Sequence, residues 1–288
     1  MVQAHSLSSK QMEFLFTDKE FQALTKLVYE QTGIVLKESK KNMVYSRLAK
    51  RLRALELTSF KDYLLVLGDE DSEKGKTELG FLINAITTNL TKFFRESHHF
   101  KDLFQHCLDI VEEQKQANEP LKLRIWSAGC SSGEEPYSIS MILREVIKKA
   151  GPVDAKILAT DLDTNMLNKG KSGIYNTQSI EDLPTVFKKR YISKRSATEV
   201  SLNQEVQQQI SFKQLNLLKG WPMKGPFDVI FCRNVMIYFD KPTKLNLINN
   251  YADILRPSGR LYIGHSESLL GDQKRFRLLG QTIYQRAT

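Results

Sequence analysis

The amino-terminal part of the chain carries apolar residues at helical spacing. A first helix is predicted between Thr17 and Gly33, because Thr17 and Glu20 have the spacing of a capping box and glycine commonly ends helices. Further helices are predicted at 39–55, from residue 59 onward and at 77–87. No strand pattern precedes residue 120, so residues 17–88 are predicted to form a small all-helical domain behind a loose leader at 1–16.

Beyond Pro120 the pattern changes to short apolar runs that alternate with amphipathic segments. Strands are predicted at 121–126, 155–160, 210–212, 227–232 and 261–264, and helices at 135–150 and 242–255. This alternation is typical of an open, Rossmann-like α/β sheet, whose ligands bind at the carboxyl ends of the strands. Residues 121–288 are therefore predicted to form an α/β domain, joined to the helical domain by a linker and a connecting helix at 89–120. The charged, glutamine-rich stretch at about 174–212 is predicted to be an inserted β-subdomain.

Composition narrows the class of protein and of partner. The formal charge of +9 favours an acidic partner, such as nucleic acid, an anionic membrane face or an acidic protein. No apolar run approaches the roughly 18 residues of a membrane span, and residues 1–10 lack the apolar core of a secretory signal. The three cysteines are scattered, without the spacing of a metal site or a disulfide framework. We therefore expect a reduced, cytoplasmic protein without a bound metal.

The turn after the first predicted strand has the features of a cofactor site. Gly129 and Gly133 allow a sharp bend close to a ligand, and the small residues between them leave room for an adenosyl group. Glu134 and Glu135 open the next helix, where their charges oppose a pyrophosphate but match a sulfonium cofactor with a free amino group. The turn therefore favours S-adenosylmethionine over a dinucleotide or ATP.

Two aspartates follow the second predicted strand. Asp161 lies nearest the end of the strand, where an acid can accept hydrogen bonds from ribose hydroxyls. Asp163 is better explained as the cap of the next helix. A capping role for both aspartates is the alternative.

Six segments of the chain resemble the CheR family of chemotaxis receptor methyltransferases, in the expected order. They are TNLTKFFR (88–95), RIWSA (124–128), GEEPYS (133–138), ATDLD (159–163), FCRNVMIYF (231–239) and GHSES (264–268). The resemblance covers about residues 17–287, and six ordered matches are much more specific than one. It implies a class I methyltransferase that converts S-adenosylmethionine to S-adenosylhomocysteine while esterifying receptor glutamates.

The resemblance also implies roles for single residues. Contacts with the cofactor are expected from Asn89, Thr91, Arg95, Glu134, Glu135, Asp161, Asn216, Leu217, Arg233 and Asn234. Of the two glutamates, Glu135 is favoured for the methionyl amino group. Arg95 and Tyr238 are expected to position the substrate carboxylate. Cys130 departs from the expected small residues, and it would make activity sensitive to thiol oxidation if it were accessible.

The implied chemistry requires no strong base. A glutamate carboxylate, with a reference pKa of about 4.3, is already ionised near neutral pH, so the site must desolvate and align it. No Asn/Asp-Pro-Pro motif follows the fourth strand of the α/β domain, which counts against methylation of nucleic-acid bases. His265 is expected to be a packed, hydrogen-bonded residue and not a catalyst.

A basic stripe is predicted on the second helix. Arg47, Lys50 and Arg51 share one helix face, and with Arg53 they resemble the surface that docks on acidic receptor helices. A solvated helix face is the alternative, and the absence of interleaved aromatic residues disfavours RNA. Residues 191–202 contain no glycine, which argues against tethering of a receptor peptide by the inserted subdomain.

Two other functions stay open from the sequence. One is a methyltransferase of the same fold that acts on RNA or another protein, and the other is a non-catalytic signalling adaptor. In each case we expect a monomer that does not insert into the membrane.

Overall fold

The computed structural model describes residues 13–69, 71–269 and 274–287. The chain divides into two compact units, one ending at Thr87 and the other beginning at Thr88. Among the described helices, none combines the length and apolar character needed to cross a bilayer.

The first unit is all-helical, as predicted. Its helices are α1 (Asp18–Thr32), α2 (Lys41–Ala54), α3 (Phe60–Gly68) and α4 (Glu73–Ile86), and a 3-10 turn at Glu38–Lys40 precedes α2. The predicted capping box of α1 is present, since the backbone N–H of Thr17 donates to Glu20 Oε2 at 2.7 Å. At its other end, α1 stops at Gly33, which has φ of 69°. Helix α4 begins earlier than predicted because Ser72 caps it, accepting the Gly75 N–H at 2.9 Å.

The predicted leader is wrong for residues 13–16, while residues 1–12 lie outside the described chain. Phe14 and Phe16 are both buried in the helical core. Their rings pack on Phe60, with centroid separations of 6.5 and 4.2 Å. Burial of two aromatic rings stabilises this segment against the entropy of a free chain.

The basic stripe of α2 is largely occupied by contacts within the helical unit. Arg51 donates from Nε to Glu78 Oε2 at 2.7 Å and from Nη2 to the other carboxylate oxygen, and it lies 3.7 Å above the Phe81 ring. Arg47 donates to the carbonyls of Ala85 and Thr87, both at 2.8 Å, at the end of α4. Arg51 is therefore engaged within the fold, because its guanidinium neutralises the buried carboxylate of Glu78.

The other two stripe residues are more exposed. Arg53 forms an ion pair with the half-exposed Glu13. Lys50 is exposed and has no ion pair with any residue in the described ranges. Lys50 is thus the stripe residue whose charge is most available to a partner.

The second unit contains the α/β sheet. Its helices are α5 (Ser97–Gln116), α6 (Glu134–Ala150), α7 (Thr164–Ser172), α8 (Thr185–Tyr191), α9 (Gln204–Gln207) and α10 (Lys241–Ile254). Its strands are β1 (Lys122–Ala128), β2 (Asp154–Asp161), β3 (Ile174–Asn176), β4 (Ile192–Lys194), β5 (Glu199–Leu202), β6 (Ile210–Gln214), β7 (Phe227–Cys232), β8 (Leu255–Ile263), β9 (Phe276–Gly280) and β10 (Ile283–Arg286).

Seven strands form the main sheet in the order β6-β2-β1-β7-β8-β10-β9. The strands from β6 to β8 are parallel, and β10 and β9 add an antiparallel edge. Helices α5 and α6 pack on one face and α10 on the other, as two of the core clusters of this unit indicate. The predicted Rossmann-like fold is confirmed, whereas β9 and β10 had not been predicted.

The inserted segment forms a small antiparallel sheet with the order β3-β5-β4. Its helix α8 is fastened to α6 because Arg190 and the Tyr191 hydroxyl both donate to Glu145, the latter at 2.6 Å. The insertion is shorter than expected, since residues 210–212 pair with β2 as part of the main sheet.

We expect Arg51→Ala to destabilise the helical unit by about 2–4 kcal/mol, because it leaves the buried Glu78 carboxylate unpaired. Hydrogen exchange of α2 and α4 peptides should accelerate strongly. Arg53→Ala, which removes an exposed pair, serves as the matched control and should change exchange little. Equal exchange in the two variants would show that Glu78 does not depend on Arg51.

A second prediction concerns His106, which is buried in α5. Burial lowers the pKa of His106 to about 4, and the charge of Arg260 acts in the same direction. The unfolded chain, with an ordinary histidine pKa, takes up a proton below about pH 6.5 while the folded chain does not. Stability from this residue is therefore present above that pH and is lost as the pH falls toward 4.

Between pH 7 and pH 5, His106 should lower the free energy of unfolding by about 2 kcal/mol. Over the same pH range, the free energy of unfolding of His106→Gln should fall by about 2 kcal/mol less than that of the wild type. Denaturant unfolding followed by tryptophan fluorescence measures this, since both tryptophans, Trp126 and Trp221, lie in the second unit. If the free energies of unfolding of the two proteins changed equally with pH, His106 would not be the source of this pH dependence.

Candidate active site

The candidate site lies where four parallel strands end. Ala128 of β1 pairs with Thr160 of β2, and Asp161 of β2 pairs with Gln214 of β6. On the other side of β1, Ser127 pairs with Phe231 near the end of β7. Because the strands are parallel and in register, the turns that follow them meet at one edge of the sheet.

The turn after β1 is fixed by its neighbours in the protein. The backbone N–H groups of Gly129 and Cys130 both donate to the Thr160 carbonyl at 2.8 Å. Gly129 has φ of 101°, and a Cβ there would lie 2.3 Å from a methyl carbon of Val235. Gly133 has φ of 98°, and a Cβ there would lie 2.8 Å from the Tyr175 hydroxyl. Both glycines are therefore required by backbone conformation and by protein packing, in addition to any approach of a ligand.

Glu134 and Glu135 are buried at the start of α6, and both are hydrogen-bonded to the protein. Glu135 Oε1 accepts from the Ser127 hydroxyl at 2.7 Å, and its Oε2 accepts from Arg233 Nη1 at 3.1 Å. Glu134 accepts from the Ser132 hydroxyl at 2.6 Å. Burial raises the pKa of Glu135, against the opposing effects of Arg233 and Ser127.

The two aspartates at the end of β2, Asp161 and Asp163, have different partners. Asp161 accepts the Ser131 N–H at 2.7 Å on one oxygen and the Asp163 N–H at 2.9 Å on the other. A carboxylate has about four acceptor positions, so Asp161 can still accept a further hydrogen bond. Asp163 caps α7 as predicted, accepting the N–H groups of Asn165 and Met166.

The segment at 89–95 is attached to these turns. Asn89 donates from its side-chain amide to Asp163 at 2.8 Å, and its carbonyl accepts from the Ser131 hydroxyl at 3.1 Å. The Phe94 N–H donates to the Ser138 hydroxyl at 3.0 Å. Thr91 and Arg95 are half-buried in the same segment. The structure thus brings the predicted 89–95 residues to the same edge as Glu135 and Asp161.

Arg233 is a buried cation at the end of β7. Besides Glu135, its Nη2 lies 3.3 Å from Glu96 Oε2 and donates to the Arg95 carbonyl. Glu96 also accepts from His265 Nδ1 at 2.9 Å. Burial alone would raise the pKa of Glu96, but the Arg233 charge and the His265 hydrogen bond hold it below the usual value.

Asn234, which follows Arg233, adopts φ of 59°. Its N–H donates to Glu267 Oε2 at 2.7 Å, and the same carboxylate accepts the N–H groups of Gly264 and Ile237. Glu267 therefore determines the shape of the turn after β7. Glu267 and Glu96 were not predicted as site residues, although Glu267 lies in the GHSES segment and Glu96 directly follows TNLTKFFR.

Tyr238 lies in the turn after β7 at this edge, and Asn216 and Leu217 lie in the turn after β6. Tyr238 ends a 3-10 turn at Met236–Tyr238 and is half-buried, and its hydroxyl has no hydrogen bond to a residue in the described part of the chain. Asn216 follows β6 and accepts the Leu218 N–H at 3.0 Å, while the Leu217 carbonyl accepts from the Trp221 indole at 3.1 Å.

Two expectations about side chains at the site are corrected. Cys130 is 1% exposed, and burial raises the pKa of its thiol well above the usual value. Direct oxidation of Cys130 in the folded protein is therefore not expected. His265 is hydrogen-bonded, but its side chain is 66% exposed and not packed.

The carboxylates at the edge of the sheet determine which charge a ligand can carry there. Glu134, Glu135 and Asp161 surround the turn where a dinucleotide would place its phosphates, so an anionic ligand is disfavoured. An amino group and a pair of ribose hydroxyls fit these carboxylates, because Asp161 can accept further hydrogen bonds.

Comparisons with known proteins agree with this chemistry. Residues 19–87 match the family model "CheR methyltransferase, all-alpha domain", and residues 89–285 match "CheR methyltransferase, SAM binding domain". The chemotaxis protein methyltransferase 2 of Pseudomonas aeruginosa is 43% identical over 279 residues, covering 96% of this chain and 95% of the relative. The chemotaxis protein methyltransferase of Escherichia coli is 42% identical over 272 residues, covering 93% and 91%. That of Borreliella burgdorferi is 40% identical over 259 residues, covering 89% and 90%.

Proposed function

The chain belongs to the CheR methyltransferase family, and we propose that it esterifies glutamate side chains of chemotaxis receptors with S-adenosylmethionine as cofactor. The observation that carries the proposal is the acidic, glycine-containing turn joined to the 89–95 segment at the carboxyl edge of the sheet. The products are a glutamyl methyl ester and S-adenosylhomocysteine, and the ester changes receptor charge during sensory adaptation.

We assign the cofactor contacts by group chemistry. Asp161 would accept hydrogen bonds from the ribose hydroxyls, and Glu135 would face the methionyl amino group with Glu134 beside it. Other contacts are proposed for Asn89, Thr91, Arg95, Asn216, Leu217, Arg233 and Asn234. Support comes from their positions in the turns that share one sheet edge.

The protein's part in the reaction is to hold a carboxylate. When bound, S-adenosylmethionine supplies a methyl group on a sulfonium that leaves as a neutral thioether, so no proton must be moved. We propose that Arg95 and Tyr238 position the substrate carboxylate and exclude water from it. The Tyr238 hydroxyl has no hydrogen bond to a described residue, and Arg95 donates from Nη1 to the Leu90 carbonyl within the 89–95 segment.

The proposed partner is the acidic helical methylation region of the receptor, bound by a monomer. Lys50 is the proposed main docking charge, with Arg47 and Arg53 contributing beside it and Arg51 acting by holding α4 in place. The three cysteines are unpaired and buried, which is compatible with the reducing cytoplasmic location included in this proposal.

Transfer of radiolabelled methyl groups from S-adenosylmethionine to receptor-containing membranes tests the function. The label should appear on a receptor-sized band and should be released as methanol by mild alkali, since carboxyl esters are base-labile. Alkali-stable label, or label on nucleic acid, would overturn the assigned substrate.

For the cofactor site, Asp161→Ala should weaken S-adenosylmethionine binding about 10-fold or more, given hydrogen bonds worth roughly 1.5–3 kcal/mol. Isothermal calorimetry measures this directly. Asp154→Ala removes an acid at the opposite end of β2 and should leave affinity unchanged. Unchanged affinity in Asp161→Ala would remove that residue from the site.

For the docking surface, Lys50→Glu should lower receptor methylation mainly at low salt and leave cofactor affinity intact. Lys19→Glu makes the same charge change on exposed α1 and serves as the control. Equal methylation rates in the two variants at low salt would mean that the α2 stripe is only a solvated face.

A further inference from the structure

A cluster of possible metal ligands lies at the start of α5, beside the proposed cofactor contacts. Glu96, His98 and His99 each bring one donor atom within 4.8 Å of the others. His99 is fully buried, while Glu96 and His98 are half-buried. The expectation of no bound metal was based on the scattered cysteines, so it does not apply to a site made of glutamate and histidine.

Hydrogen bonding determines which nitrogen of His99 carries the proton. Its Nε2 lies 3.1 Å from the Gln281 carbonyl and 3.2 Å from the Thr282 hydroxyl. A carbonyl can only accept, and the Thr282 hydroxyl already donates to Gln281 at 2.6 Å. Nε2 is therefore the N–H donor, and in the neutral ring Nδ1 carries a free lone pair.

That lone pair faces a carboxylate. His99 Nδ1 lies 3.4 Å from Glu96 Oε2, and neither atom has a hydrogen-bond partner among the described residues. Two acceptors thus face each other in a buried place, an arrangement that a cation between them would stabilise.

We propose that Glu96, His98 and His99 form a binding site for a divalent transition-metal ion of the zinc type. A tetrahedral ion with bonds of about 2.0–2.1 Å separates its donors by roughly 3.4 Å, which matches the His99–Glu96 distance. The half-buried His98, whose Nε2 lies 3.0 Å from the Gln281 carbonyl, would bring the third donor closer by rotating about its side-chain bonds. Two imidazoles and one carboxylate suit zinc, cobalt or nickel better than magnesium or calcium.

Arg233 limits the strength of this site. Its Nη2 lies 3.3 Å from the same Glu96 oxygen, so the ion and the guanidinium share one carboxylate. The metal therefore binds more weakly than at a dedicated structural site, and its occupancy loosens the Arg233–Glu96 pair. Magnesium, which prefers oxygen ligands, should not compete.

Equilibrium dialysis of the full, untagged chain against Co²⁺, followed by metal analysis and visible absorption spectroscopy, tests the site. We expect one Co²⁺ per wild-type chain, an absorption band from imidazole-bound cobalt, and displacement by Zn²⁺ but not by Mg²⁺. His98→Gln and Glu96→Gln should each weaken binding at least 10-fold. His106→Gln removes another histidine of α5 outside the cluster and should bind as the wild type does.

Circular dichroism of each variant checks that it folds. If Glu96→Gln fails to fold, His98→Gln still tests the site, because the His98 side chain is only half-buried. No binding by the wild type, or equal binding by wild type and His98→Gln, overturns the site. Because the experiment measures bound metal and not methyl transfer, its result does not depend on whether the proposed methyltransferase function is correct.

Discussion

Arg233 is a buried guanidinium at the end of β7, and the carboxyl edge of the sheet is organised around its charge. It contacts Glu135 at the start of α6, Glu96 at the start of α5 and the Arg95 carbonyl. A buried charge without partners would cost several kcal/mol, so these three segments must lie together when the chain folds. The position of the 89–95 segment beside the acidic turn follows from this requirement.

The rest of the edge is held by hydrogen bonds between turns. Asp161 accepts the Ser131 N–H, Asn89 reaches Asp163, and Glu267 accepts three backbone N–H groups in the turns after β7 and β8. Donors and acceptors that are fixed before a ligand arrives lose little freedom when it binds. A site for methyl transfer needs this rigidity, because aligning the reacting atoms is the protein's main contribution.

Most of the basic stripe of α2 is engaged in contacts within the helical unit. Arg51 neutralises the buried Glu78, and Arg47 satisfies carbonyls at the end of α4, so both contribute to the fold of the helical unit. Lys50 remains available for a partner. Counting basic residues along a helix therefore overstates the charge that remains unpaired on its surface.

The sequence by itself determined the features that depend on neighbouring residues. The cap of α1 at Thr17, the bounds of β7 and the capping role of Asp163 follow from local spacing and from the apolar pattern of a strand buried on both faces. Tertiary structure alone decided that Arg51 pairs with Glu78, that Arg233 bridges Glu96 and Glu135, and that the Cys130 thiol is enclosed. The physical reason is that charge pairing and burial depend on segments far apart in the chain, whose contact no local pattern encodes.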